Sequence, residues 1–65
     1  MKSYSSREII KIIQDDGWKI RRIEGSHHHF VHDSKKGIVT VPHPKKDFCQ
    51  RTLRSIFIQA GLDIK

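Results

Sequence analysis

A chain of 65 residues carries 13 lysines and arginines against seven acids, a formal charge of +6 with its five histidines neutral. A fold this short buries only about 60% of its extended surface, which excludes a second domain and predicts one thin core over residues 1–65. With no apolar run near the ~20 residues of a membrane span, insertion is not expected, and a pI near 9.9 makes polyanions the natural partners.

Apolar residues make up 35% of the chain and fall in periodic blocks, so it can fold despite a mean hydropathy of -0.59. Ser5-Ser6-Arg7-Glu8 has the form of a capping box, in which Ser5 accepts from the backbone of Glu8 and Glu8 reaches back to the backbone of Ser5. A helix is predicted from there to Asp16, with Tyr4 and Ile9 at the staple positions and an apolar stripe of Ile9, Ile10, Ile12 and Ile13. Gly17 is placed to end it. Trp18 to Glu24 reads as a strand whose alternation slips between Ile20 and Ile23, the mark of a bulge or an early bend.

Gly25-Ser26 is a turn, His27 to His32 a second strand, and Asp33 to Gly37 a second turn. Ile38 to Val41 is predicted as a short third strand, stopped by Pro42-His43-Pro44. Leu53, Ile56, Phe57 and Ala60 stand at i, i+3, i+4 and i+7, which predicts an amphipathic helix from about Gln50 to Ala60, ended by Gly61 with Leu62 closing a Schellman contact. The order helix, three strands, helix implies an antiparallel meander that buries both helical stripes on one face. Trp18 and Phe30 are expected in the core rather than as base-stacking platforms.

A single cysteine, Cys49, cannot form an internal disulfide, and no leader-like apolar segment precedes the first helix, so a cytoplasmic protein is expected. His27-x-His29 with His32 or His43 offers three imidazole nitrogens, but structural zinc sites usually include thiolates and Cys49 lies in another segment. No metal and no cofactor is expected. His43, between two prolines, reads as a rigid turn element.

Four segments, Asp16-Gly17-Trp18, Gly25-Ser26-His27-His28-His29-Phe30, Val39-Thr40-Val41-Pro42-His43-Pro44-Lys45-Lys46 and Leu53-Arg54-Ser55-Ile56, together resemble the HicA toxins. The resemblance spans nearly the whole chain, and the pairing of Gly-Ser-His with Val-Pro-His-Pro is what makes it specific. It implies an α+β, double-stranded-RNA-binding-like fold, translation-independent cleavage of mRNA, and inhibition by a HicB-type antitoxin. It also implies a monomer when free and a hetero-oligomer with that antitoxin. The family's catalytic histidine follows Gly-Ser, which places it on His27 with Gly25 as the accompanying glycine. Cys49-Gln50-Arg51 departs from the pattern of proline and glycine that many relatives carry before the last helix.

Chemistry agrees with that assignment. An imidazole ordinarily titrates near 6.5, so its neutral form can take a proton at physiological pH. RNA supplies its own nucleophile, because a deprotonated ribose 2′-OH can attack the neighbouring phosphorus while the protein positions the strand. Strand alternation puts His29, not His28, on the face of His27, where it can assist as an acid or a phosphate ligand beside Gly25 and Ser26, or simply pack. Lys35, Lys36, Lys45, Lys46, Arg51 and Arg54 fall in turns or at the start of the last helix, as phosphate contacts would. The same surface would serve a non-catalytic RNA-binding module, or a small protein that meets only a protein partner. Cleavage of purified RNA separates the first reading from these two.

Overall fold

The computed structural model describes residues 3–62. It is an α+β arrangement in which helix α1 (Ser6–Asp15), strands β1 (Trp18–Glu24), β2 (His27–His32) and β3 (Val39–Pro42), and helix α2 (Gln50–Gln59) follow one another in sequence. The strands form one antiparallel sheet in the order β1-β2-β3.

Local chemistry sets each boundary. Ser5 accepts from the Glu8 amide while Glu8 Oε1 receives the Ser5 amide at 3.0 Å, a closed capping box that satisfies two of the amides a helix start leaves over. Asp16 caps the other end and Gly17 follows at φ 111°, a conformation closed to most L residues. At the end of α2, Gly61 takes φ 69° while its amide donates to Ile58 O at 3.0 Å and that of Leu62 to Phe57 O at 2.9 Å, the two bonds of a Schellman motif. The start of α2 is poorer: Cys49 is the N-cap and makes no side-chain bond to the helix backbone. Its thiol lies 3.2 Å from the Thr52 hydroxyl, which holds it below its ordinary pKa.

Both helices cover the same side of the sheet. Ile9 and Ile13 of α1 and Leu53, Ile56 and Phe57 of α2 close with Trp18, Phe30, Val39, Val41, Phe48 and Ala60 into one buried cluster. Trp18 also donates its indole N–H to Ala60 O at 3.2 Å, so the largest core residue has a partner for its one polar atom. Tyr4, expected as a staple to Ile9, meets Phe57 edge-on with ring centroids 5.7 Å apart.

Two details correct or sharpen the sequence reading. The third strand lies one residue later than expected: Val39 and Val41 pair with Phe30 and His28 and are fully buried, whereas Ile38 stands outside, 56% exposed. Pro42 is part of this strand instead of stopping it, because the next residue, His43, donates inward to Ser26 O at 2.7 Å. Ladder alternation therefore turns the Pro42 nitrogen to the free edge, where no amide is missed. In β1 the register shifts between Ile20 and Arg22, so Arg21 is the extra residue of a bulge at the slip in alternation.

Candidate active site

Glu24 and His27 are direct ladder partners, so Gly25-Ser26 is a two-residue hairpin turn. Gly25 has φ 58° and, among the described residues, no non-glycine has a positive φ, Ser26 included, the pattern of a type II′ turn with glycine first. An added Cβ at Gly25 would meet nothing within 4 Å, so only the backbone angle asks for glycine here. The turn presents Ser26 and the first residue of β2, His27, both exposed.

Phe30 points into the core, and β2 alternates, so His28 lies on the helix side while His27 and His29 lie on the open side. His28 stacks edge-on to His43 with ring centroids 4.9 Å apart. His43 Nδ1 is 2.7 Å from the buried Ser6 hydroxyl, which also bonds both the amide and the carbonyl of Lys45. His32 Nε2 lies 2.8 Å from Asp16 O, and its Nδ1 accepts from the Ser34 amide at 3.0 Å. His29 Nδ1 lies 2.9 Å from the Thr40 hydroxyl. Four of the five histidines are thus engaged, and His27 is the one whose ring has no hydrogen bond or ring contact among the described residues. The rings of His32 and His43 are turned to opposite ends of the core, away from the His27-His29 face, so these histidines do not converge.

Past the bulge, Arg22 stands opposite His29 and Glu24 opposite His27, while Thr40 pairs with His29 from the other strand. Arg22, Glu24 and Thr40 therefore share the open face with His27. None was singled out from the sequence, although the hairpin turn alone would have given Glu24, and counting the bulge would have added Arg22.

The predicted basic residues are divided between regions. Lys45 and Lys46 follow His43 at the end of the sheet that carries the Gly25-Ser26 turn, and the Lys45 backbone is pinned to α1 because Ser6 N–H donates to Lys45 O at 2.8 Å. Lys46 is exposed, and the Lys45 ammonium lies 5.4 Å from the Phe48 ring centre. Lys35 and Lys36 belong to the opposite end, one β2 length or roughly 17 Å away at 3.3 Å per residue. Lys36 is exposed there. Lys35 is tied down: its ammonium lies 2.6 Å from Asp16 Oδ2, 3.0 Å from Ala60 O and 3.5 Å from Gly61 O, joining the ends of both helices to the β2-β3 loop. That bond holds the Asp16 carboxyl below the usual carboxylate range. Arg51 and Arg54 are exposed, three residues apart on the outward side of α2, across the sheet from His27.

Helices on one side of a three-stranded antiparallel sheet, with an open histidine-bearing face on the other, define a small α+β protein of the double-stranded-RNA-binding-like class. The family model for the HicA toxin of bacterial toxin-antitoxin systems matches residues 6–62. A chain in the solved HicA3 and HicB3 toxin-antitoxin complex is 34% identical, covering 94% of this chain and 98% of that one, with a TM-score of 0.77. No curated protein matches the sequence. The chain belongs to the HicA toxin family.

Proposed function

We propose that this HicA-family toxin is a metal-independent endoribonuclease that cuts mRNA in the cytoplasm, with His27 as the general base. The observation that carries the reading is the state of His27: exposed at the mouth of a tight turn and uncommitted, while the other four rings serve packing or hydrogen bonds. A catalytic base must reach its substrate's proton, and a ring already engaged within the fold is poorly placed to do so.

In the proposed step, His27 removes the proton of a ribose 2′-OH and the resulting oxygen attacks the adjacent phosphorus. The P–O5′ bond breaks, leaving a 2′,3′-cyclic phosphate on one product and, once protonated, a 5′-OH on the other. Gly25 and Ser26 supply the turn that presents His27 to the strand. Replacing the 2′-OH at the cut position with hydrogen is expected to leave binding in place and abolish cleavage, since the nucleophile is gone. Cleavage of the unmodified RNA should persist in EDTA. Cutting of the deoxy-substituted strand, or products without a cyclic phosphate or its hydrolysis product, rules the mechanism out. Binding without any cleavage of RNA leaves the non-catalytic module.

Lys45 and Lys46 serve this reading as phosphate contacts, since they stand at the same end of the sheet as the turn. Changing both to alanine is expected to weaken RNA binding for all sequences alike and to flatten its log-log salt dependence by about one to two units, at ~0.7 per single-strand phosphate contact. A changed cleavage pattern at unchanged affinity would show that they read bases. The proposed protein partner is a HicB-type antitoxin, as in the related complex. A +6 surface suits an acidic partner that covers the His27 face and excludes RNA.

A further inference from the structure

On a chain this basic, a carboxylate directly opposite the candidate base is out of place. Glu24 is the ladder partner of His27, and its Oε1 is approached by two positive or hydrogen-donating groups of the same face: Arg22 at 3.3 Å and His29 Nε2 at 2.9 Å. We propose that Arg22 and His29 form a subsite for an RNA phosphate next to the one His27 acts on, and that Glu24 holds this subsite with its own carboxylate until RNA displaces it. The inference rests on the reading of RNA as the ligand.

Three observations support it. First, the His29 ring is set for an anion. Its Nδ1 lies 2.9 Å from the Thr40 hydroxyl, and when that hydroxyl donates the bond, the ring N–H is on Nε2, the nitrogen that faces Glu24. Second, that proton is poorly used. Nε2 is buried, yet Glu24 Oε1 lies off the line of its N–H and no proper hydrogen bond forms, although buried donors are nearly always satisfied. An oxygen placed differently from Glu24's would meet a need the free chain leaves open. Third, the occupant is easily displaced: the Arg22 and Glu24 side chains are 67% and 57% exposed, and an ion pair so exposed is weak and screened by salt. A phosphate offers the same kind of anionic oxygen with more of them, enough to accept from a guanidinium and an imidazole together.

The test is fluorescence anisotropy with a 2′-deoxy-substituted, non-cleavable RNA at low salt. Glu24→Gln keeps the shape of the side chain but removes the negative charge that holds both donors, and is expected to tighten binding about three- to tenfold, as an anionic competitor is removed from a polyanion's path. Asp15→Asn adds the same unit of charge at the far end of α1, where the 70% exposed Asp15 side chain pairs with Lys11, and should change affinity by less than about twofold at the same salt. Adding Arg22→Gln to Glu24→Gln should cancel the gain. The proposal fails if Glu24→Gln binds no better than Asp15→Asn, or if the gain survives the loss of Arg22. It also fails if Glu24→Gln lowers kcat at unchanged affinity, which would make Glu24 a positioning residue for His27. Cleavage of unmodified RNA by the same proteins keeps the two readings apart. A chain that binds through this subsite without cutting retires the endonuclease alone, and one that cuts with an affinity indifferent to Glu24 retires the subsite alone.

Discussion

His27→Ala is expected to lower the rate of RNA cleavage by roughly 10²- to 10⁴-fold, the usual contribution of a positioned general base. The folded state should barely notice. His27 is exposed and makes no bond or ring contact within the described residues, and substitutions at such positions usually stay within about 0.5 kcal/mol. Far-UV circular dichroism and thermal midpoint should therefore match the parent chain, with affinity for non-cleavable RNA largely retained. An unfolded variant would mean that the ring supports the hairpin, and an active one that the proton goes elsewhere. His29→Ala is the informative companion: as a phosphate ligand His29 should raise KM, so a loss of kcat equal to that of His27→Ala would move the base assignment along the strand.

The second large effect lies in the fold. Gly17→Ala is expected to destabilise the chain by about 3 kcal/mol, through two costs that cannot both be relieved. At φ 111° a side chain is strained, at about 1–3 kcal/mol for such backbone regions. The new Cβ would also sit 2.7 Å from His32 Nε2, the atom that meets the Asp16 carbonyl. Moving the ring away breaks that bond and disturbs the edge-on packing of His32 against Trp18, whose ring centroids are 5.3 Å apart. With a thermal midpoint that moves by about 4–8 °C per kcal/mol in domains of this size, a calorimetric scan should show a drop of more than ten degrees. A drop of only a few degrees would mean that His32 swings aside at little cost. Gly25→Ala is the natural comparison, since its Cβ would meet open space and only the backbone cost remains.

These two glycines illustrate what could be read from the residues. Turn and cap chemistry is local, so the capping box at Ser5, the helix end at Gly17, the hairpin at Gly25-Ser26 and the Schellman end at Gly61 were all legible, as was the division of core stripes. The position of β3 was less so: Ile38 and Val39 are both β-branched, and only pairing with β2 decides which one is buried. The surroundings of His27 depended on register. His29 followed from alternation within a single strand, but Arg22, Glu24 and Thr40 arrive from neighbouring strands. The role of Lys35 was hidden for a similar reason. Its charge suggested a phosphate contact, and nothing local announces that its ammonium meets the ends of two helices that lie 19 and 25 residues away in sequence.

The bulge at Arg21 bears on how such a small sheet can change. It behaves as a dislocation in a crystal does, separating two regions that are each in phase with their own surroundings but not with one another. Before it, Trp18 is buried in the core and Ile20, though 46% exposed, is in phase with it; after it, Arg22 and Glu24 keep step with the Gly25-Ser26 turn. In an unbroken strand these four even-numbered residues would share one face, and the polar pair would be driven against the helices. With the slip, the half of β1 that shapes the face around His27 answers to the hairpin rather than to the core. Substitutions that retune that face need not be matched by changes in the packing of Trp18, so the two halves of one seven-residue strand, one on the His27 face and one on the core, are free to vary separately.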